Sequence, residues 1–302
     1  MKQENIVLNN KNYTLYINYQ NDEKRRLEFN GMTQEFWGFD FENYYQSGFW
    51  DDTCILYSLF DGDKIVSHTT VSLFKNESKT LLQLGTVMTD VDYQNQGLSR
   101  YLVERISEDF KGKNDGIFLF ASETVLDFYP KFGFVAVPEF EHFLIFEKNN
   151  SISKFSRKQL DLDNKTDLKL FENLVENAIP NSQFPTKNKS LTFFYCFAYP
   201  EMSFKDSIYY IEDLDAAVVA QLEDETLFII DIFSKNEVNL DDVINAFSDF
   251  NFKEVMFGFT PKNTQNLQVR NYKDEDLQLF VSPDLAKEFE NNPLKIHLLS
   301  HT

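Results

Sequence analysis

Residues 90–102 read DVDYQNQGLSRYL and hold one of only ten glycines in the chain. The segment before this run is apolar and the one after it amphipathic, so it reads as a loop opening a helix. A helix N-terminus exposes unpaired backbone N–H groups at the positive end of the helix dipole. A loop feeding one is therefore an anion cradle. Gly97 permits a positive φ or a close backbone approach, and Gln94, Gln96 and Ser99 add uncharged donors. The chemistry expected is phosphate or pyrophosphate binding. A Walker loop would need more glycines and a Lys before Ser or Thr, and a Rossmann fingerprint would need Gly-x-Gly-x-x-Gly; neither is present. On these residues alone, a plain strand-to-helix turn is an equal alternative.

A second run, VLDFYPKFGF at residues 125–134, follows a short apolar strand. The two runs in this order resemble the GNAT N-acetyltransferases, whose pattern is Gln/Arg-x-x-Gly-x-Gly/Ala after the fourth strand and Phe-Tyr-x-Lys-x-Gly-Phe after the fifth. Here these are QNQGLS (Gln94 to Ser99) and FYPKFGF (Phe128 to Phe134). The resemblance spans residues 13–148. It implies a GNAT fold, with a mixed, mostly antiparallel central sheet flanked by helices, and acetyl-CoA as cofactor. Carried over, the backbone of Val87, Met88 and Thr89 would face the pantetheine arm where two strands splay. Gln94, Asn95, Gln96, Gly97, Leu98 and Ser99 would hold the pyrophosphate, and Arg100 would reach a phosphate from the first helical turn. Two positions depart from the commoner pattern: Gln94 where many relatives have Arg, and Ser99 where Gly or Ala is usual. Ser122 stands near the place where relatives often carry a cofactor-touching Asn. Tyr129 matches the tyrosine that protonates the leaving thiolate. A phenol with a pKa of about 10 keeps its proton at neutral pH. Core packing beside Phe128, Phe132 and Phe134 is the alternative for Tyr129. Pro130 shortens any helix there.

No general base announces itself. Asp90, Glu123, Asp127 and His142 lie near the motifs in sequence, yet each reads more simply as a solvated or structural residue. Acetyltransferases of the enhanced-intracellular-survival type, which the chain also resembles in adding a C-terminal part, bring their terminal carboxylate into the active site. The ending NPLKIHLLSHT is apolar enough to dock, so His301 or the Thr302 carboxylate is a candidate for the cleft. His68, on a strand face between Val66 and Thr70, reads as a hydrogen-bonded structural residue. The four histidines have no metal-binding spacing, and no metal is expected.

The elements that must position these groups follow from periodicity. A strand near YTLYINY precedes two helices within residues 23–50, and TCILYSLF and KIVSHTTVSLF form a hairpin around DGDK. LLQLGTVMT leads into the loop. From Leu98 the apolar positions 98, 101, 102, 106 and 110 mark an amphipathic helix, then GIFLFA reads as a strand buried on both faces. FVAV and FEHFLIFEK read as a closing strand pair. The polar stretch from Lys148 is the expected boundary between a GNAT domain (residues 1–150) and a smaller α/β GNAT-like domain (residues 151–302). The second part repeats three strands, helix, strand and late strand, as a degenerate copy. Its loop, DIFSKNEVNLDD, carries carboxylates that would repel a pyrophosphate, so no cofactor is expected there. Its expected task is to wall the substrate cleft or form an oligomer interface, a homodimer being the simplest. Phe193, Phe194, Tyr195 and Phe197 could line either, with a core as the default.

Composition narrows the class. The formal charge of −19 divides almost evenly between residues 1–150 and 151–302, so nucleic acid and anionic membranes are excluded as general partners and a small cationic substrate is favoured. Cys54 and Cys196 lack paired spacing and read as buried free thiols. No run of about 18 apolar residues occurs, and the expected compartment is the cytosol. The function these residues support is an acetyl-CoA-dependent N-acetyltransferase acting on a primary amine by direct attack in a ternary complex. A GNAT-fold module that senses acyl-CoA without turnover, or a scaffold that has lost the cofactor, are the rivals.

Overall fold

The computed structural model describes residues 1–76, 79–146, 154–199, 203–274 and 276–301. The expected domain boundary at residue 150 falls within 147–153, outside the described residues.

The chain opens with β1 (Lys2–Leu8) and β2 (Lys11–Ile17), a hairpin turned by Asn9 and Asn10 at positive φ, which asparagine tolerates better than most residues. The exposed, weakly alternating β1 escaped the reading of the sequence. α1 (Glu23–Trp37) starts where the Asp22 carboxylate accepts the Arg25 N–H at 3.1 Å and stops at Gly38 in the left-handed conformation. α2 (Glu42–Gln46) follows, then β3 (Cys54–Asp61), β4 (Lys64–Lys75) and β5 (Thr80–Thr89) as an antiparallel meander. α3 (Leu98–Asp109) returns the chain to β6 (Gly116–Ser122), parallel to β5. Of the expected apolar stripe on α3, Leu98, Leu102 and Ile106 are buried, joined by Val103, while Tyr101 and Phe110 are half-buried against the same core; each fully buried residue contributes roughly 1.5–3 kcal/mol.

Next come β7 (Val135–Ala136), β8 (Glu139–Ile145), β9 (Arg157–Gln159), α4 (Lys165–Asn177) and α5 (Lys189–Phe193), which runs on as a π-helical turn over Phe194–Ala198. The meander β10 (Ile208–Ile211), β11 (Ala216–Glu223) and β12 (Thr226–Ser234) leads to α6 (Leu240–Asn245), which Asn239 caps. β13 (Glu254–Phe257), β14 (Gln268–Tyr272), β15 (Leu277–Val281) and α7 (Pro283–Asn291) complete the chain.

Two mostly antiparallel sheets flanked by helices result, ordered β1-β2-β3-β4-β5-β6-β15-β7 and β14-β8-β13-β12-β11-β10-β9. The expected pairing of FVAV with FEHFLIFEK does not occur. β7 stays in the first sheet against β15, while β8 crosses to the second between β13 and β14. Pro138 stands between them; it removes a ladder donor and fixes φ, and so breaks the run where the chain changes sheets. LQLFV makes the reverse crossing, since β15 pairs with β6 in the first sheet. Each half thus completes the other's sheet at the same position, beside the strand that follows the helix.

His68 is fully buried, with Nδ1 2.7 Å from Ser58 Oγ and Nε2 2.8 Å from Thr70 Oγ1. Burial holds its imidazole down at about 3, as a structural histidine requires. Cys54 and Cys196 are buried free thiols. Among the described residues no helix is long and apolar enough to cross a membrane.

Candidate active site

β5 and β6 pair in parallel only from Leu81–Leu84 against Gly116–Leu119. Beyond that point they part. The cause lies on β5, where Thr86 and Val87 oppose the single residue Thr69 of β4 and Thr86 takes φ +44°. Such a bulge bends a strand and increases its twist. From Gly85 to Thr89, β5 keeps β4 on one edge and faces a cavity of about 1100 Å³ on the other. Phe120, Ala121 and Ser122 of β6 line the opposite wall.

The wedge opens onto the N-terminus of α3. Gly97 caps that helix at φ +80°, and an added side chain there would meet open space. Asn95 is also left-handed, at φ +58°. The first-turn N–H groups of Leu98, Ser99 and Arg100 have no acceptor within the helix, and Leu98 anchors the turn in the core. The Ser99 hydroxyl is engaged rather than free, 2.6 Å from Thr89 Oγ1, which is in turn 2.9 Å from Ser67 Oγ. Gln94 Nε2 donates to the Thr89 carbonyl at 3.4 Å. Arg100 pairs with Glu104 on the surface and lies over the Phe132 ring.

Of the residues singled out in the sequence, Val87, Met88, Thr89, Gln94, Asn95, Gly97, Leu98, Ser99, Arg100, Ser122 and Tyr129 all border this cavity. Gln96 does not. Its Oε1 accepts from Lys11 Nζ at 3.1 Å, its Nε2 donates to the Asp92 carbonyl, and its own carbonyl accepts from Asn9 at 2.7 Å. It ties the loop to the β1–β2 turn. Ser122 caps a short turn through Thr124.

Tyr129 opens a 3-10 turn, Tyr129–Phe132, with Pro130 in its first positions. The ring packs edge-on against Phe128 and lies 5.9 Å from Phe280 of β15. Its hydroxyl has no hydrogen-bond partner among the described residues, and burial pushes its pKa up to about 12. It is a neutral phenol inside the cavity.

The candidate bases separate. Asp90 pairs with Lys64 at 2.7 Å, Glu123 and Asp127 are exposed, and His142 lies buried on β8 in the second sheet. His301 borders the cavity, stacked on Phe120 with ring centroids 3.8 Å apart. Its Nε2 is buried with no partner among the described residues, and its backbone carbonyl accepts from the Tyr195 hydroxyl. Burial, with Lys295 nearby, pushes its imidazole down to about 3. Thr302 lies outside the described residues.

Phe194 and Tyr195, candidates from the sequence to line the cleft or an interface, do border the cavity, while its other features carried no signal in the sequence. Lys131, inside the quoted FYPKFGF run, adds a second cation beside Arg100. Phe39 and Phe41, between α1 and α2, and Phe194, Tyr195 and Tyr199, on or just past the π-helical turn, form an aromatic wall. Phe193 and Phe197 do not border the cavity; Phe193 stacks on Phe49 in the core. No Asp or Glu is among the described residues lining it.

The second sheet holds a matching wedge. β12 and β13 are parallel over Thr226–Ile229 against Glu254–Phe257 and then part. Here residues 179–183 enter the gap. The Ile179 N–H donates to the Ser234 carbonyl at 2.9 Å, Asn181 Nδ2 donates to the Ile232 carbonyl at 2.8 Å, and the Gln183 N–H donates to the Thr260 carbonyl at 3.0 Å. Beneath them His297 bridges Ser182 Oγ (2.7 Å) and Asp231 (3.2 Å), and Lys187 also pairs with Asp231. Burial alone would raise the Asp231 carboxyl, but Lys187 and His297 hold it at about 2.

Comparison with known proteins agrees with this geometry. Residues 41–143 match the family model of the GNAT acetyltransferase domain. No curated protein matches the chain. Among solved structures, a conserved protein of Enterococcus faecalis described as a probable N-acyltransferase aligns over 89% of this chain and 72% of its own, at 12% identity and TM-score 0.53. Eis1 from Mycobacterium abscessus aligns over 88% and 72% at 14% identity and TM-score 0.53. A GCN5-related N-acetyltransferase from Anabaena variabilis aligns over 88% and 72% at 10% identity and TM-score 0.53. At these identities the likeness is one of fold. The family match spans the wedge, the α3 loop and Tyr129, so residues 41–143 carry a GNAT acetyltransferase domain, which supports an acyltransferase.

Proposed function

We propose that the open wedge is the reaction site of an acetyl-CoA-dependent N-acetyltransferase, which acetylates a primary amine by direct attack in a ternary complex. The observation that carries this reading is the unpaired Gly85–Thr89 edge of β5, running to the α3 N-terminus with Tyr129 in the same cavity. The donor set suits an acyl-CoA: free edge groups for an amide-bearing arm, helix N–H groups with Arg100 and Lys131 for phosphates, and no Asp or Glu among the described lining residues to repel them. Bound acetyl-CoA supplies an acetyl thioester, and transfer exchanges its C–S bond for an N–C bond, one proton passing overall from nitrogen to sulfur.

In this reading the backbone of Val87, Met88 and Thr89 orients the arm, and an N–H of this edge polarises the reacting carbonyl. Gln94, Asn95 and Gly97 through Arg100 form the phosphate cradle, with Gln96 bracing it from behind, and Ser122 lies along the arm. Tyr129 Oη holds the proton that the sulfur needs. His301, neutral at working pH, offers a ring nitrogen to the amine N–H as an acceptor. With its imidazole held so low it is a positioning group rather than a strong base, and the amine sheds its proton before or during entry. Residues 1–150 act as the catalytic part and 151–302 as a GNAT-like part that walls the cleft without a cofactor of its own. Buried free thiols suit the reducing cytosol.

Calorimetric titration of acetyl-CoA into wild type and Gly97→Glu, with thiol release followed on adding primary amines, tests the reading. Saturable binding to wild type alone, followed by amine-dependent thiol release, is the expected result. Binding without turnover on any amine would leave a coenzyme A-sensing module. No binding at all would overturn both.

A further inference from the structure

Within that reading, on which this step rests, we infer that the acceptor is a primary amine carried on an aromatic body, and that the wall built by the second half of the chain selects it. The charge of −19 would draw a polycation to the surface. The cavity itself receives none of that acidity, since no Asp or Glu lines it among the described residues. A polyamine or aminoglycoside would have to strip water from several ammonium groups with no Asp or Glu among the described lining residues to meet them, and buried unpaired charge is strongly disfavoured. A single amine faces a lesser penalty, because desolvation favours its neutral, nucleophilic form and aromatic faces tolerate a residual charge.

The lining is suited instead to a ring. Phe41 and Phe194 stack at 5.1 Å between centroids, Phe39 meets Tyr199 edge-on at 5.0 Å, and Tyr199 tilts against Phe194 at 5.0 Å. These contacts join a loop of the first half to the π-helical turn of the second into one continuous aromatic surface. The polar ends of Tyr44 and Tyr195 are already used, by Ser190 and by the His301 carbonyl, so these side chains turn carbon rather than hydroxyl to a ligand. At the mouth, Trp37 is 43% exposed although it borders the same cavity. An aromatic acceptor would cover it and continue the edge-to-face packing inward.

The test uses the full-length protein and 2-phenylethylamine, with spermidine as the polycationic competitor. Trp37 and the buried Trp50 are the two tryptophans, so emission that responds to ligand reports mainly on Trp37. Saturable change with 2-phenylethylamine and none with spermidine is expected, together with a kcat/KM at least about tenfold higher for the aromatic amine. Tyr199→Leu, which keeps apolar volume but removes a ring, should raise KM for 2-phenylethylamine more than it lowers kcat, and narrow the kcat/KM preference over spermidine severalfold. Preference for spermidine, or equal losses on both amines in Tyr199→Leu, would overturn the inference while leaving acetyl transfer intact. Failure of acetyl-CoA to bind would strike the transfer reading, whereas the Trp37 titration, done without it, would still decide whether the pocket accepts an aromatic amine.

Discussion

The two wedges are built alike and differ in what fills them. In each, a parallel strand pair runs together for four residues and parts where a loop enters a helix. In the second sheet residues 179–183 occupy the gap and satisfy carbonyls on both of its sides. In the first, the Gly85–Thr89 edge is left facing a cavity. Backbone groups removed from water must find partners, so a splayed pair is a socket that the chain either plugs or reserves for a ligand. The loops agree with that division: QNQGLS ends in a left-handed glycine with open space around it, whereas the corresponding loop offers Glu237 and Asp241.

Breaking the open wedge should have the largest effect. Tyr129→Phe removes only the buried hydroxyl, and kcat should fall by about 10²–10⁴ while calorimetry returns a near-native acetyl-CoA affinity; loss of affinity instead would make Tyr129 a packing residue. In the plugged wedge the cost should appear in stability. Asp231→Asn leaves Lys187 buried without its counter-charge and should lower unfolding free energy by about 3–5 kcal/mol in a urea titration; a parallel drop in acetyl-CoA affinity would contradict the view that this wedge is closed. Paired glutamates sharpen the contrast. Gly97→Glu combines a strained positive φ with charge at the helix N-terminus and should weaken acetyl-CoA about a hundredfold, whereas Asn236→Glu in the second loop should leave the Kd unaltered.

The smallest effect concerns pH. With Tyr129 raised to about 12 and His301 lowered to about 3, neither changes charge between about pH 6 and 10. The logarithm of kcat/KM should therefore climb steadily across that range as the free amine loses its proton, without a descending limb. A break near pH 6.5 that His301→Gln abolishes would show a solvated, titrating imidazole.

Much of the open wedge was legible because its elements carry local signals. The stripe from Leu98 to Ile106 has helical period, Gly97 marks the turn, and GIFLFA is apolar on both faces as a central strand must be. Residue type did not reveal direction, however: Gln96 looks like a cradle donor but faces Asn9 and Lys11. Nor did the runs VAV and FEHFLI disclose that they belong to different sheets, since strand propensity records a pleated, half-buried surface and not its partner. The aromatic wall was legible only in part, since Phe194 and Tyr195 were candidates for the cleft with a core as the default, and Phe39, Phe41 and Tyr199 gave no signal. Phe194 and Tyr195 sit among buried rings, and only the π-helical turn presents them to the other half's cleft. Net charge, finally, is a sum over the chain and is blind to a cavity whose described lining holds no Asp or Glu.

The reciprocal placement of β8 and β15 bears on how the chain acquires its shape. Ser122 on β6 waits for Leu277 on β15, synthesised roughly half the chain later, and pairings so distant in sequence slow folding. Until then the emerging first half presents the bare edge of β6, which is the sort of surface that recruits chaperones or sticks to neighbours. Once β15 arrives, the halves are clasped. A nick in the segment between β8 and β9 should therefore release neither piece, because each would still hold a strand of the other.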